Sequence, residues 1–224
     1  MRRLVCFIFL SGAALAQVAE KANEGYKTPQ GRENVAKGLA DPARGERQRP
    51  RDIIDAMDLK PGGKVADVGT GVGFMLPYLS HAVGDTGHVI GEDIQGDFLD
   101  KAKMKVQLSR LNNVEFVLGT DRDPKLPADS LEGVLVLDVY HHFDYPEAML
   151  QHIHDSLLSD GKLVIVEYFK RPGAMNNADP DFALKHIRLD QDDLIKEVEA
   201  SGFRLISKRD LAPKSQYLAV FAKK

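Results

Sequence analysis

Along most of the chain, short apolar runs alternate with stretches in which apolar residues recur every three or four positions. Largely apolar runs lie at 64–69, 87–91, 114–118, 131–137 and 162–168, with two more at 203–208 and 217–222. Runs of this length, bounded by glycine, proline or aspartate, read as buried strands. Between them, 74–83, 97–109, 146–158 and 190–201 carry helical spacing. Gly202 stops the last helix, and Asp160-Gly161 marks a turn before the run at 162–168. Upstream, Pro50 opens a helix whose Ile53, Ile54 and Met57 share a face, and Lys60-Pro61-Gly62-Gly63 closes it.

Strands separated by helices of this length imply right-handed crossovers and a mostly parallel sheet with helices on both faces. The last two runs break the rule, because only 210–216 separates them and no helix fits there. They must form an antiparallel hairpin. The expected fold is therefore α/β: a three-layer, Rossmann-like, seven-stranded sheet that is mostly parallel and ends in a hairpin. The catalytic domain is expected over 50–224. Ahead of it, 17–49 is polar, and Gly25, Pro29, Gly31, Gly38, Pro42 and Gly45 interrupt any long helix. That segment reads as a loosely structured arm or lid with short helical pieces.

The first 16 residues follow a different pattern. Met1-Arg2-Arg3 is basic, residues 4–10 are nearly all apolar, and Ala14-Leu15-Ala16 has the small-residue form of a cleavage site before Gln17. This is the layout of an export signal, and its apolar part is shorter than the roughly 20 residues a membrane span needs. Cleavage predicts an exported chain, periplasmic or secreted, with no stable membrane span; without processing it would be cytoplasmic or anchored. Cleavage also removes Cys6, the only cysteine, leaving a mature chain without thiols. Hydrophobic residues at 43% and charged residues at 28% give the balance of a soluble globular domain. The formal charge of -3 gives no electrostatic case for nucleic acid.

The sharpest chemical signal is Asp67-Val68-Gly69-Thr70-Gly71-Val72-Gly73, which leaves the first strand and leads into a helix. Ligands of open α/β sheets bind at the carboxyl ends of strands, so this turn is placed for a cofactor. A dinucleotide fingerprint would put a third glycine at position 74, which is Phe74. The spacing is instead G-x-G-x-G, with a carboxylate two residues before it. Such a carboxylate repels a pyrophosphate and accepts hydrogen bonds from an ammonium group. Glu92-Asp93 ends the second strand, where a carboxylate can take both ribose hydroxyls.

Residues 67–73 resemble the first motif of class I S-adenosylmethionine-dependent methyltransferases, and Gly91-Glu92-Asp93-Ile94 resembles the acidic loop after their second strand. The terminal hairpin is similar to the antiparallel end of their sheet, and Leu126-Pro127-Ala128-Asp129 to the segment before their fourth strand. Lys60-Pro61-Gly62, residues 138–143 and Gln216-Tyr217 resemble a bacterial subgroup of small methyltransferase-domain proteins. The resemblance runs over about 50–224 and implies S-adenosylmethionine as cofactor. It implies that Asp67 serves the methionine amino group, that Gly69, Thr70, Gly71 and Gly73 flank the cofactor, and that Asp93, followed by Ile94, holds the ribose. The family usually has glycine then aspartate after the third strand; here Gly119 is followed by Thr120, and the acid arrives at Asp121.

Methyl transfer from a sulfonium is an in-line displacement, for which alignment supplies roughly 7–11 kcal/mol. A base is needed only if the acceptor loses a proton. Asp138-Val139-Tyr140-His141-His142, after the fourth strand, is the best candidate cluster. His141 or His142 suits proton removal near neutrality; capping of the next helix is the structural alternative. Asp138 and Tyr140 can position cofactor or substrate, and Glu167, ending the fifth strand, can be a second base or an orienting acid. No metal is expected: His152 and His154 lie two apart on a helix, and the adjacent pair His141 and His142 should diverge. A lid is expected from the arm and from 169–189, with Arg44, Arg47, Lys170, Arg171 and Arg188 placed for an anionic acceptor or simply solvated.

The resulting expectation is an enzyme that methylates a small-molecule acceptor on oxygen, nitrogen or carbon. A methyltransferase for damaged aspartyl residues is disfavoured, because the arm lacks a serine-rich substrate motif. S-adenosylmethionine is made in the cytoplasm, so the export signal keeps a second class in play: an exported protein of the same fold that binds S-adenosylmethionine or a nucleoside without catalysis.

Overall fold

The structure, a computed structural model, describes residues 18–224; the expected export signal at 1–16 lies outside them. The strands are β1 (Lys64–Val68), β2 (His88–Asp93), β3 (Val114–Leu118), β4 (Leu131–Leu137), β5 (Leu157–Tyr168), β6 (Phe203–Ala212) and β7 (Gln216–Lys223). They form one sheet in the order β3-β2-β1-β4-β5-β7-β6. The first five strands pair in parallel, and β7 is antiparallel to both β5 and β6. This is the seven-stranded α/β architecture read from the sequence, hairpin included.

The helices are α1 (Pro29–Leu39), α2 (Arg44–Gln48), α3 (Pro50–Met57), α4 (Leu76–Val83), α5 (Gly96–Leu108), α6 (Pro146–Ser156), α7 (Phe182–His186) and α8 (Gln191–Ala200). Alternate residues of each central strand face opposite helical layers, as the two-residue strand period dictates. Val65, Val89, Leu135 and Val164 pack with α3, α4 and α5, while Ala66, Ile90, Val134 and Ile165 pack with α6 and α8. Strands buried on both faces are why the apolar runs are nearly continuous.

Three differences from the sequence reading have local causes. Helix α1 runs 11 residues straight through Gly31 and Gly38. Pro29 sits in its first turn, the Thr28 side chain accepts from Gly31 N, and Ala36 packs with Val72 and Phe98; tertiary burial outweighs a glycine cost of about 1 kcal/mol each. Asp160-Gly161 falls inside β5, where the register against β4 shifts between Leu131 and Gly133. The residues expected to turn make an irregularity in a longer strand. Within 169–189, expected to be irregular, α7 forms and buries Ala183 against Ala174 and Ile187.

Strand order reverses between β1 and β4, and that switch point is where open α/β sheets bind ligands. The turns leaving these two strands meet there. Gly69 has φ of 69°, and a Cβ on it would stand 2.5 Å from a Val139 methyl. Gly69→Ala should therefore cost about 1–3 kcal/mol by overpacking, and adding Val139→Ala should return part of it, with left-handed strain remaining. Urea unfolding of both variants checks this; no recovery in the double variant would mean that the two turns do not press on one another.

Candidate functional site

Backbone bonds and side-chain bonds tie the turn after β1 to the end of β2. Thr70 N donates to Glu92 O at 2.7 Å. Gly71 N donates to Asp93 Oδ2 at 2.9 Å, Gly69 N to Glu92 Oε2 at 3.2 Å, and Gln95 N to Asp93 Oδ1 at 2.8 Å. Beneath the turn, Thr70 Oγ1 donates to Asp67 Oδ2 at 2.7 Å. The glycines let the backbone come this close to two carboxylates.

These groups form one wall of a cavity of about 320 Å³. The 138–144 segment after β4 forms a second wall, and Tyr26, Leu39 and Arg44 of the N-terminal arm close it. The arm is thus part of the site. Asp138 anchors it: in left-handed backbone (φ 58°), its carboxylate accepts from Gln48 of α2 and from Gln216 of β7, the latter at 2.5 Å. The Arg44 guanidinium lies 4.0 Å from the same carboxylate and 4.5 Å above the Phe74 ring.

Negative charge outweighs positive charge here. Burial pushes Asp67 and Asp138 up to about 7 and Asp93 up to about 6. Burial, reinforced by Asp93, pushes Glu92 well above the usual carboxylate range. Arg44 opposes the rise at Asp67 and Asp138 but does not cancel it. Glu92 also presents Oε1 without a hydrogen-bond partner among the described residues.

Of the residues expected to hold the cofactor, Gly69, Thr70, Gly71, Asp93, Ile94, Thr120, Asp121 and Asp138 line the cavity. Asp67 does not line it: the side chain lies below Thr70 and is 2% exposed. Gly73 packs instead toward Leu76 and Ala102. Sequence reasoning placed Glu92 beside Asp93 at the end of the second strand and gave the ribose to Asp93; both line the cavity. It missed Gln48 and Gln216, whose meeting at Asp138 spans 90 and 78 residues of sequence.

The catalytic candidates separate. His142 lines the cavity, with Nδ1 2.9 Å from Asn23 Oδ1 and Nε2 3.4 Å from the Tyr26 hydroxyl. Burial, then the neighbouring His141, hold His142 well below the ordinary histidine range, so it is a neutral ring. His141 lies behind it, with Nδ1 2.7 Å from Glu167 Oε2. Tyr140 points elsewhere; its hydroxyl donates to Glu197 of α8 at 2.7 Å, and Arg188 holds the same carboxylate. The adjacent histidines do not diverge as expected: their ring centroids are 4.0 Å apart, because Glu167 and Asn23 each capture one Nδ1. His186 of α7 joins them, 5.0 Å from His141 and 5.5 Å from His142. Of the lid cations, only Arg44 enters the cavity wall; Arg47 pairs with Asp41 and Arg171 lies over Phe169.

Residues 66–165 match the family model of a methyltransferase domain. Among curated proteins, the ubiquinone/menaquinone biosynthesis C-methyltransferase UbiE of Vibrio campbellii is 27% identical over 121 residues, covering 54% of this chain and 47% of that protein. UbiE of Shewanella baltica matches over the same length, also at 27% identity, covering 54% of this chain and 48% of that one. The chain spans about half the length of these relatives. Among solved structures, a SAM-dependent methyltransferase from Aquifex aeolicus superposes with a TM-score of 0.77 at 26% identity, covering 85% of this chain and 98% of that one. A TehB-like SAM-dependent methyltransferase from Corynebacterium glutamicum shares the fold at a TM-score of 0.65 and 22% identity, covering 88% of this chain and all of the other.

The fold is that of the class I methyltransferases. With the matched domain over 66–165, it points to S-adenosylmethionine as the cofactor. The site suits that cofactor: buried carboxylates short of positive charge fit an ammonium and a sulfonium, and the Asp93 carboxylate in the cavity wall fits the ribose hydroxyls.

Asp67 yields a prediction from this charge balance. Its folded value, about 7, stands above its ordinary 3.8. The folded chain therefore holds a proton more tightly than the unfolded chain does, and the stability this brings is full below about pH 4 and gone above about pH 7. Asp67→Asn keeps an acceptor for Thr70 and removes the charge. At pH 8 it should stabilise the ligand-free protein by up to the order of 4 kcal/mol, at about 1.4 kcal/mol per pKa unit, and should give no such gain at pH 4. Urea unfolding at both values checks it, and an equal effect at the two would contradict the burial account.

Proposed function

We propose that this enzyme transfers a methyl group in line from S-adenosylmethionine to a small-molecule acceptor. The observation that carries the reading is one cavity holding both the carboxylate cluster of Glu92, Asp93 and Asp138 and the neutral ring of His142. The cofactor supplies an electrophilic methyl on a sulfonium. Asp93, fixed by Gly71 N and Gln95 N, offers acceptors to the ribose. Asp138 and the hydroxyl of Thr70 face the methionine portion, and Thr120 and Asp121 the adenine.

Since S-adenosylmethionine brings its own leaving group, the chain's main work is to align and desolvate, which Tyr26, Leu39 and Arg44 serve by closing the cavity. His142 is the base where the acceptor must lose a proton, because its neutral ring stands in the cavity wall. Glu167 orients His141 behind it. The UbiE relatives are named as C-methyltransferases, which favours a carbon nucleophile over oxygen or nitrogen. With 1–16 read as an export signal, the proposed place of action is outside the cytoplasm.

Calorimetric titration with S-adenosylmethionine tests the cofactor site. Wild type should bind, and Asp93→Ala should bind at least tenfold more weakly, since it loses a ribose acceptor and the Gly71 bond together. In labelled-methyl transfer to a panel of small acceptors, His142→Ala should lower turnover about 10²–10⁴-fold while keeping cofactor affinity. A folded wild type that ignores S-adenosylmethionine would overturn the reading. Tight binding with no transfer to any acceptor would favour a binding protein instead.

A further inference from the structure

Three histidines converge beside the cavity: His141 and His142 on the turn after β4, and His186 at the end of α7. One ring nitrogen from each lies within 4.8 Å of the other two. A tetrahedral ion with metal–nitrogen bonds of about 2.0–2.1 Å needs nitrogens about 3.4 Å apart, so closing the site takes side-chain adjustments on the order of 1 Å.

The hydrogen bonds behind the rings carry the argument. Asn23 Nδ2 donates to His142 O at 3.0 Å and to Asp144 Oδ2 at 3.2 Å, which fixes the orientation of the amide and turns Oδ1 toward His142. That oxygen can only accept, so His142 Nδ1 carries the proton and Nε2 a lone pair. Glu167 Oε2 accepts from His141 N at 3.1 Å and from His141 Nδ1 at 2.7 Å, while Oε1 accepts from Tyr168 N. His141 Nδ1 therefore also carries its proton, and its Nε2 is free to ligate. Histidines whose Nδ1–H is held by a carboxylate or a carbonyl have the outer shell of metal ligands. A base acting alone would need one such ring.

His186 stacks on Phe182, with centroids 4.7 Å apart, and meets the other two rings edge-on. The long 3.4 Å approach of the Tyr26 hydroxyl is the contact shown for His142 Nε2, and an ion would replace it. All-imidazole ligation selects borderline first-row ions over magnesium or calcium, which prefer oxygen.

We propose that His141, His142 and His186 bind one divalent first-row transition-metal ion, with Glu167 and Asn23 as positioning residues. Three protein ligands leave a tetrahedral ion one open position. Because His142 belongs to the cavity wall, the ion stands at the cavity, and its bond to His186 ties α7 to the turn after β4. With the ion bound, the one lone pair of His142, on Nε2, is engaged by it, so His142 serves as a base only in the metal-free enzyme. The site itself is independent of the methyl-transfer reading; only its role toward an acceptor oxygen or carbanion rests on that reading.

The test is titration of the untagged, chelator-treated full chain with Co²⁺, read by its visible absorption, followed by competition with Zn²⁺. Wild type should take up one equivalent with the intense bands of a tetrahedral site, and Zn²⁺ should abolish them. His186→Ala, at the end of the short helix α7, should weaken binding at least tenfold, and Glu167→Gln about tenfold. His152→Ala, an exposed histidine away from the cluster, should change nothing. The proposal is overturned if folded wild type shows no such bands, or if His186→Ala binds as wild type does. Cofactor titration of the same chelator-treated sample reports separately on the methyltransferase reading.

Discussion

The burial of several carboxylates around one arginine is the constraint on which the rest of the site depends. Asp67, Glu92 and Asp93 are buried where β1 and β2 end, Asp138 follows β4, and Arg44 is the cation that acts on Asp67 and Asp138. Buried charge without a partner is costly, and the cost appears here as carboxyl groups that keep their protons toward neutral pH. A fold retains such an arrangement when something binds to it. The glycine turn, the left-handed Asp138 and the arm that closes over them are all arranged around this deficit of positive charge.

The arm is the element that converts a general fold into a particular site. Tyr26, Leu39 and Arg44 come from residues ahead of β1, yet they complete the cavity, and Gln48 reaches Asp138 from the same segment. On the opposite side, Gln216 reaches that carboxylate from the start of β7. Asp138 is thus the point at which the arm, the switch point and the terminal hairpin are joined.

The sheet was legible because strands buried on both faces leave long apolar runs, and because the few residues between the last two runs cannot hold a crossover helix. The cofactor turn was legible because glycine spacing next to an acid is a local pattern. What escaped the reading was produced by distance along the chain. Nothing local to Gln48, Gln216 or His186 marks them, since each acquires its role from a partner tens of residues away. The pairing of His141 and His142 escaped for a similar reason. Adjacent residues on a turn tend to diverge, and only Glu167 and Asn23, on other elements, bring the rings together. Two successive acids at a strand end are visible in the sequence, but that one Glu92 oxygen is buried without a partner depends on the packing of Gly69 and Gly119 against it.

Proton release on cofactor binding is the most direct measure of this central deficit. Titrations with S-adenosylmethionine at pH 6.5, in buffers of different ionisation enthalpy, report how many protons leave the protein. Asp67 and Asp138, pushed up to about 7, are largely protonated there, and a cationic ligand beside Asp138, with Asp67 beneath Thr70 in the same wall, favours their ionised forms. The account predicts net proton release that fades by pH 8.5, with little release when neutral adenosine is the ligand. Proton uptake, or the same proton count for S-adenosylmethionine and adenosine, would contradict it.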